Sequence, residues 1–242
     1  MTQFPLNIKK IYEDADLLIL DKPFGLVVNR SKTTKEETLQ DFLIKYLGLP
    51  LPPTQVSSFT ENQDEIFLLR SGLAHRLDKD TSGVIVVAKN PQTLINLMDQ
   101  FKNRGVAKSY IALVHGKIKD PVLEVSAPIG RNPKNRFRYA VVMGGKVAQT
   151  VIKVQKILAE KYSLVSVEPK TGRTHQIRVH LSAINHPIVG DVLYSPKSFR
   201  LDDHQNYGRL MLHAHRVEFI HPSNGEKVAF EANIPSEFEK VL

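Results

Sequence analysis

The second half of the chain is a series of short, β-branched segments separated by turn residues, and this pattern restricts the fold more than any other feature. Consecutive strands of this kind are usually antiparallel, because short turns can then join neighbouring strands. Three apolar runs in the first half, LLIL, LVV and VIVVA, predict further strands within 16–29 and 84–88. The segments predicted as strands after residue 108 are SYIALVHG (109–116), LEVSAPIG (123–130), FRYAVVMGG (137–145), AQTVIKVQKIL (148–158), YSLVSVEP (162–169), LMLHAHRVEFI (210–220) and KVAFEANIP (227–235).

Three segments predict helices that would pack on these strands. In 37–48 the apolar residues recur at helical spacing, and Gly48 suits the left-handed position after the last turn. An Asn-Pro pair at positions 90 and 91 suits the start of a second helix, and the periodicity of 174–185 predicts a third. By contrast, 50–65 has three prolines, many polar residues and no periodicity, which predicts a loop. Together these elements indicate an α+β fold, and no stretch resembles a linker between domains.

The composition is that of a globular protein that attracts polyanions. The 242 residues include 33 Lys and Arg against 25 Asp and Glu, a formal charge of +8 that favours nucleic acid as a partner. The absence of cysteine excludes disulfides, thiol catalysis and zinc sites that use cysteine. The sequence shows neither a membrane-spanning apolar run nor a secretory signal, so we expect a cytoplasmic protein with no membrane partner. No surplus apolar stripe is visible, so we expect a monomer.

The motif HRLDKDTSG, residues 75–83, crowds charge directly before the apolar run VIVVA and has three interpretations. A calcium loop of the EF-hand type would need a glutamate at the position where Lys89 stands. A polar turn explains the second half of the motif but leaves Arg76 and Asp78 unexplained. Because one residue separates these two, an extended backbone would place both on one face, where the arginine keeps the carboxylate ionised. The third interpretation is therefore a catalytic carboxylate, with Asp78 as nucleophile or base.

A second cluster, PKTGRTHQIRVHLSAINHPIVGD (169–191), concentrates basic residues and histidines. It lacks the glycine pattern of a P-loop and the HExxH motif of zinc proteases. A solvated helix face is one interpretation, and an anion site formed at the helix start with Arg173 and Arg178 is another. A third is a metal-dependent hydrolase with the histidine ligands His175, His180 and His213.

The segment RNPKNRFRYAVV, 131–142, places four basic side chains in or beside a Pro/Asn loop that precedes a strand. Such a segment is typical of a hairpin that contacts phosphates, although a solvated basic loop would have the same composition. The four residues are Arg131, Lys134, Arg136 and Arg138.

Several of these stretches together resemble the RluA-type pseudouridine synthase family. They are HRLDKDTSGVIVVAK, KSYIALVHG, GRTHQIRVHL with HPIVGD, and LMLHA, and they occur in this order over nearly the whole chain. The resemblance implies an enzyme that isomerises uridine in structured RNA without a cofactor and without a metal. It also implies an α+β fold with a mixed, largely antiparallel central sheet, flanking helices and a basic cleft across the sheet.

The resemblance further assigns roles to individual residues. Asp78 is implied as the catalytic carboxylate, Tyr110 as the active-site tyrosine and Arg178 as the basic partner of that carboxylate. Arg76 resembles the residue that helps to push the target base out of its stack, which is chemically reasonable because a stacked base hides its glycosidic bond. Whether Asp78 attacks C1′ or deprotonates the sugar stays open. The residues that we predict to bind RNA or to flip the base are Arg76, His75, Lys108, Arg131, Lys134, Arg136, Arg138, Arg173 and His175.

Ribosomal RNA is the expected substrate, with transfer RNA as the alternative. We expect one catalytic domain over residues 1–242, with a core of about 11–234 that could form two lobes. Because the catalytic pattern begins by about residue 11, we expect no separate N-terminal RNA-binding module, and recognition would depend on the basic surface of the domain itself. A rival of another class is a non-catalytic RNA-binding or ribosome-assembly factor with the same fold.

Overall fold

The computed structural model describes residues 7–31, 34–52, 61–239 and 241. These residues divide into two compact units, Met1–Val106 with Arg216–Ala232, and Ala107–His215 with Asn233–Leu242. The chain passes from the second unit into the first within one strand, so both units draw on that strand. The single domain expected over the whole chain stays a prediction.

The first unit packs helices against a sheet in which two strands, Leu17–Lys22 and Ser82–Ala88, are buried. Its elements are β1 (Lys9–Glu13), β2 (Leu17–Lys22), α1 (Leu39–Tyr46), α2 (Gln63–Arg70), β3 (Ser82–Ala88), α3 (Pro91–Lys102), the end of β10 (Leu212–Ile220) and β11 (Lys227–Glu231). Strand β2 runs antiparallel between β1 and β3, and β11 runs antiparallel to β10. Every residue of β3 is buried, as expected of a β-branched strand that is covered on both faces. Leu94 and Leu97 of α3 pack into the same core.

The second unit carries most of the strands predicted from the sequence. Its elements are β4 (Ala107–His115), β5 (Val122–Ser126), β6 (Ile129–Asn132), β7 (Asn135–Val141), β8 (Gln149–Leu158), β9 (Tyr162–Pro169), α4 (Gln176–Ala183), α5 (Lys197–Tyr207), the start of β10 and α6 (Ser236–Glu239). The strand order is β10-β4-β9-β8-β5, while β6 and β7 form a separate hairpin. Ala112, Val165 and Leu181 are among the buried residues that bring the sheet and α4 into one core.

The α+β class and the large, mostly antiparallel sheet are confirmed. The predicted helices correspond to α1, α3 and α4, and the strands predicted after residue 108 all contribute to strands of the structure. Asn90 caps α3 by accepting a hydrogen bond from the N–H of Thr93, and Pro91 begins the helix as predicted. The basic cleft expected across the sheet stays a prediction.

The predicted strand LVV is wrong. Residues 26–28 have no strand structure, because the carbonyl groups of Val27 and Val28 accept hydrogen bonds from the N–H groups of Leu39 and Gln40 at the start of α1. An apolar run therefore supports a helix start here instead of pairing with a strand.

The loop predicted over 50–65 is only partly described, since 53–60 lie outside the described residues. Its last residues are not loop, because Asn62 caps the helix α2 that begins at Gln63.

Helix α5 was not predicted either, and its sequence explains why. Asp203 is its one buried residue, so the helix lacks the apolar stripe on which the sequence reading depends. None of the helices in the described ranges has the length and apolar content needed to cross a bilayer.

Candidate active site

The segment before Asp78 is fixed against strand β3. The carbonyl of Gly72 accepts a hydrogen bond from the N–H of Ala88 at 2.8 Å, and Leu73 forms a β-bridge with Val87. Gly72 has a φ of +78°, and a Cβ at this position would lie 2.1 Å from the carbonyl oxygen of Ala88. Only glycine fits this close approach, so the motif starts from a rigid backbone position.

Lys22 fixes the backbone on the other side of Asp78. Its side chain is fully buried, and its Nζ donates hydrogen bonds to the carbonyls of Pro23 at 2.8 Å, Leu26 at 2.9 Å and Lys79 at 3.0 Å. A buried ammonium needs such partners, because burial without them is strongly unfavourable. The lysine thereby joins the turn after β2 to the residue that follows Asp78. Lys22 was not among the predicted site residues, although a lysine that ends the run LLILDK was a visible signal.

Asp78 lies partly exposed on this fixed segment. Exposure alternates along it: Arg76 is exposed, Leu77 is buried and Asp78 is half-buried, which agrees with the extended backbone that was predicted. The carbonyl of Asp78 accepts a hydrogen bond from the N–H of Thr81 at 3.2 Å, which closes the polar turn before β3. The arrangement holds Asp78 at a partly exposed position on a rigid support.

His75 has structural contacts within the first unit. Its Nε2 accepts a hydrogen bond from the N–H of Val86 at 2.9 Å, and its ring stacks on Phe101 of α3 with centroids 4.7 Å apart. These contacts fix the start of the HRLD segment against β3 and α3. They support a structural role for His75, and its predicted part in RNA binding stays a prediction.

In the second unit, Gln176 fixes the start of α4. Its Oε1 accepts hydrogen bonds from the N–H of Arg173 at 3.0 Å and from Thr171 Oγ1 at 2.7 Å. Its Nε2 donates to the carbonyl of Gln149 at 2.9 Å and to Thr150 Oγ1 at 3.0 Å. The N–H of Arg173 is thus engaged by a side chain of the protein, and the Nε of Arg173 donates to the carbonyl of Val147 at 3.0 Å. The anion site suggested at this helix start stays a prediction.

His180 is a buried structural residue on α4. Its Nε2 lies 3.0 Å from the carbonyl of Ala127 and its Nδ1 lies 2.9 Å from Thr150 Oγ1, so both ring nitrogens have protein partners. Burial lowers the pKa of His180, while the hydrogen bond to Ala127 has a weaker, opposite effect. Among the described residues, no three His, Asp or Glu side chains lie close enough together to hold a metal ion. These observations argue against the metal-hydrolase interpretation, which required His175, His180 and His213 together.

Arg178 forms a buried, bidentate ion pair with Asp191. The guanidinium Nε and Nη2 donate to the two carboxylate oxygens of Asp191 at 2.7 and 2.8 Å. Asp191 Oδ1 also accepts the N–H groups of Leu193 at 2.9 Å and Tyr194 at 3.1 Å. The predicted partner of Arg178 was Asp78, and Asp191 was not predicted because no spacing rule connects it with Arg178. Asp78 belongs to the first unit and Arg178 to the second, so their predicted pairing stays a prediction.

Two further predicted residues lie on β4. Tyr110 is half-buried, stands opposite Val167 of β9 and packs against the core of the second unit. Lys108 is half-buried, and burial lowers the pKa of its ammonium group. Both residues therefore have a defined position on a central strand of the second unit.

The β6–β7 hairpin carries four of the nine residues predicted to bind RNA or to flip the base. Three of them, Arg131, Lys134 and Arg136, are exposed, and Arg138 is half-buried. The guanidinium of Arg131 lies 4.8 Å from the ring centroid of Tyr139, and its Nη1 donates to the carbonyl of Arg136 at 2.8 Å. Phe137 was not among the predicted residues, and its 88% exposure adds an aromatic ring to this basic hairpin. Such a surface suits RNA, which offers phosphates to the cations and bases to the ring.

His175 directly precedes α4 in a left-handed conformation, with a φ of +56°. Its Nδ1 lies 2.7 Å from the hydroxyl of Tyr194, and its ring meets Tyr139 of the hairpin edge-on at 5.8 Å. The structure therefore brings His175, Arg178 and the hairpin together in one unit.

Comparison with known proteins gives a consistent result. A family model described as RNA pseudouridylate synthase matches residues 16–183. An uncharacterized RNA pseudouridine synthase of Mycoplasma genitalium is 35% identical over 99% of this chain and 70% of its own length. The ribosomal large subunit pseudouridine synthase D of Nitrosomonas europaea is 40% identical over 98% of this chain and 65% of its own length. A solved structure titled Human RNA Pseudouridylate Synthase Domain Containing 1 superposes with a TM-score of 0.71 and 29% identity, covering 96% of this chain and 84% of that one.

Proposed function

This chain belongs to the family of RNA pseudouridylate synthases, and we propose that its substrate is ribosomal RNA. It is an isomerase that acts on RNA, as the family and its named relatives indicate. Relatives from Nitrosomonas europaea and Buchnera aphidicola carry names that specify the ribosomal large subunit, which favours the same class of substrate here. Transfer RNA is the alternative substrate. Because ribosomes are assembled in the cytoplasm, we expect the protein to act there, as a monomer.

The observation that carries the proposal is the partly exposed Asp78 on its fixed turn. The reaction breaks the bond between the uracil nitrogen and C1′ and forms a new bond between C1′ and a carbon of the same base. It therefore needs a carboxylate held at a defined position beside the sugar. Lys22 and Gly72 supply that rigidity from both sides of the residue. Asp78 then acts either as a nucleophile at C1′ or as the base that deprotonates the sugar.

The remaining roles follow from chemistry. Tyr110 offers a ring that can stack on uracil and a hydroxyl that can relay the C5 proton. Arg178, which is always charged, keeps its predicted role as the basic partner of the catalytic carboxylate, and within its own unit its guanidinium binds Asp191. Arg76, exposed two residues before Asp78, inserts into the RNA as the target base leaves its stack. Lys108 on β4 adds a positive charge for the RNA backbone.

The basic hairpin and the start of α4 form the proposed RNA-binding surface. Cations bind the phosphate backbone without regard to sequence, and they make affinity depend on salt. Phe137 adds a stacking contact for an unpaired base. The proposed members of this surface are Arg131, Lys134, Arg136, Phe137, Arg138, Arg173 and His175.

The test maps pseudouridines in ribosomal and transfer RNA from cells that contain the protein, lack it, or carry only Asp78→Asn. We expect at least one ribosomal site to be lost without the protein and to stay lost with Asp78→Asn, while purified Asp78→Asn still folds and binds RNA. Asp80→Asn, in the same turn, is the matched control and should restore the site. Loss confined to transfer RNA would contradict the ribosomal substrate, and a site restored by Asp78→Asn would favour the non-catalytic factor.

A further inference from the structure

We propose that Tyr194 is a positioning residue that couples the β6–β7 hairpin to Arg178, with its hydroxyl fixing the hairpin and its ring fixing the guanidinium. The proposal rests on the proposed function, because that function gives the hairpin its role in RNA binding and Arg178 its role in catalysis. Tyr194 lies in the stretch GDVLYS, and no catalytic or binding role was predicted for this tyrosine from the sequence.

The hydroxyl of Tyr194 joins the hairpin to the start of α4. It accepts a hydrogen bond from the backbone N–H of Tyr139 in β7 at 3.0 Å. It also lies 2.7 Å from Nδ1 of His175. Because a backbone N–H can only donate, the hydroxyl oxygen is the acceptor towards Tyr139, while the direction of its contact with His175 follows the tautomer of that ring. One oxygen atom thus holds the main chain of the hairpin and the residue that precedes α4.

The ring of Tyr194 lies beside the guanidinium of Arg178. The Cζ atom of Arg178 is 5.1 Å from the ring centroid, within the range of a cation–π contact. Asp191 binds the same guanidinium through Nε and Nη2. The carboxylate and the ring together leave the buried guanidinium little freedom to reorient.

The backbone of Tyr194 is fixed independently of its hydroxyl. Its N–H donates to Asp191 Oδ1 at 3.1 Å, and its carbonyl accepts a hydrogen bond from Ser182 Oγ at 3.1 Å. A phenylalanine at this position should therefore keep its ring beside Arg178 and lose only the link to the hairpin. This separation makes the two functions of the residue experimentally distinct.

The contacts continue outward to the proposed RNA-binding surface. Tyr139, whose N–H binds Tyr194, stands opposite Arg131 in the hairpin and holds that guanidinium over its ring at 4.8 Å. A chain of direct contacts therefore runs from Arg131 through Tyr139 and Tyr194 to Arg178, all within the second unit. RNA that orders the hairpin would act on the same tyrosine that holds the catalytic arginine.

The experiment compares Tyr194→Phe and Tyr194→Leu with the wild type, using a transcript that contains the mapped uridine. For Tyr194→Phe we expect KM to rise about three- to tenfold, the range expected for one lost hydrogen bond, with kcat within about twofold of wild type. For Tyr194→Leu we expect the same rise in KM together with a loss in kcat of about tenfold or more, because the guanidinium loses its ring contact. Tyr207→Phe, a half-buried tyrosine on α5, is the matched control and should change neither constant by more than about twofold.

A second measurement separates this proposal from the proposed function. Hydrogen exchange of the Tyr139 amide in the RNA-free protein should become faster in Tyr194→Phe and stay unchanged in Tyr207→Phe, because the amide loses its acceptor. Unchanged exchange at Tyr139, or equal kinetic effects of the two Tyr194 variants, would overturn the coupling. A wild type without turnover on any RNA would instead refute the proposed function, and the exchange result would still decide whether Tyr194 holds the hairpin.

Discussion

Replacing Asp191 with alanine should destabilise the protein more than removal of any exposed carboxylate. Asp191 has no exposed side-chain surface and Arg178 has 4%, so the variant would leave a guanidinium buried without its carboxylate. The carboxylate accepts four hydrogen bonds, two from Arg178 and one each from the N–H groups of Leu193 and Tyr194. All four donors would lose their acceptor at once.

The expected loss is about 3–5 kcal/mol in the free energy of unfolding, the range found when one partner of a buried ion pair is removed. This loss is a large part of the roughly 5–15 kcal/mol that stabilises a typical domain. Most of it arises from the uncompensated charge and not from the pair itself. Replacing both partners, with Arg178→Met and Asp191→Leu together, should therefore recover a substantial part of the stability.

Urea unfolding followed by circular dichroism measures these differences, since the chain has no tryptophan. Glu37→Ala is the matched control, because it removes one partner of the exposed Lys45–Glu37 pair and should cost less than about 1 kcal/mol. The reasoning is refuted if Asp191→Ala is no more damaging than Glu37→Ala. It is also refuted if the double variant is less stable than Asp191→Ala, since the buried charge would then not be the cause.

Two further predictions concern the first unit. Gly72→Ala should lower the free energy of unfolding by about 3 kcal/mol or more, because the new Cβ meets the Ala88 carbonyl at 2.1 Å. Gly25 has a φ of +80° and open space around it, so Gly25→Ala should cost only about 1 kcal/mol. Equal urea midpoints for the two variants would contradict this account. The hydrogen bond from Lys10, with smaller contributions from Lys89 and Tyr46, lowers the pKa of Glu13 from 4.5 to about 2 against the effect of burial. Because the folded state then favours the ionised form of Glu13, this contribution to stability is complete above about pH 4.5 and is lost as the pH falls towards 2. In the Glu13→Gln variant, the free energy of unfolding should therefore fall less steeply with acid in that window. An unchanged slope would show that ionised Glu13 contributes nothing to stability.

Local patterns in the sequence were sufficient for most elements. Strand β9 has the predicted bounds, because its alternation of apolar residues and its turn residues act within a few positions. The start of α3 was visible for the same reason, since Asn90 caps the helix that Pro91 begins. The HRLD motif also pointed to Asp78 from its neighbours alone.

Contacts between distant residues were beyond such patterns. Lys22 supports the turn at Lys79, 57 positions away, and no spacing rule connects the two. Asp191 could not be predicted as a partner of Arg178, because that pairing depends on how the chain returns after α4. Helix α5 is anchored by Asp203, whose Oδ2 lies 3.0 Å from His115 Nε2, instead of by an apolar stripe. In each case the missing information was the path of the chain and not the chemistry of the residues.

The first unit is discontinuous in sequence, which sets an order for its assembly during synthesis. Asp14 in the first unit binds His221 Nε2 at 2.9 Å across 207 positions, and β11 pairs with β10 late in the chain. The first 106 residues therefore leave the ribosome before the strands that complete their sheet have been made. The second unit also needs a late segment, Asn233–Leu242, which places the buried Phe238 in its core, so it is completed after the first unit. Until Arg216–Ala232 emerges, the nascent chain carries an unfinished sheet edge, which is the state in which chaperones would be of most use.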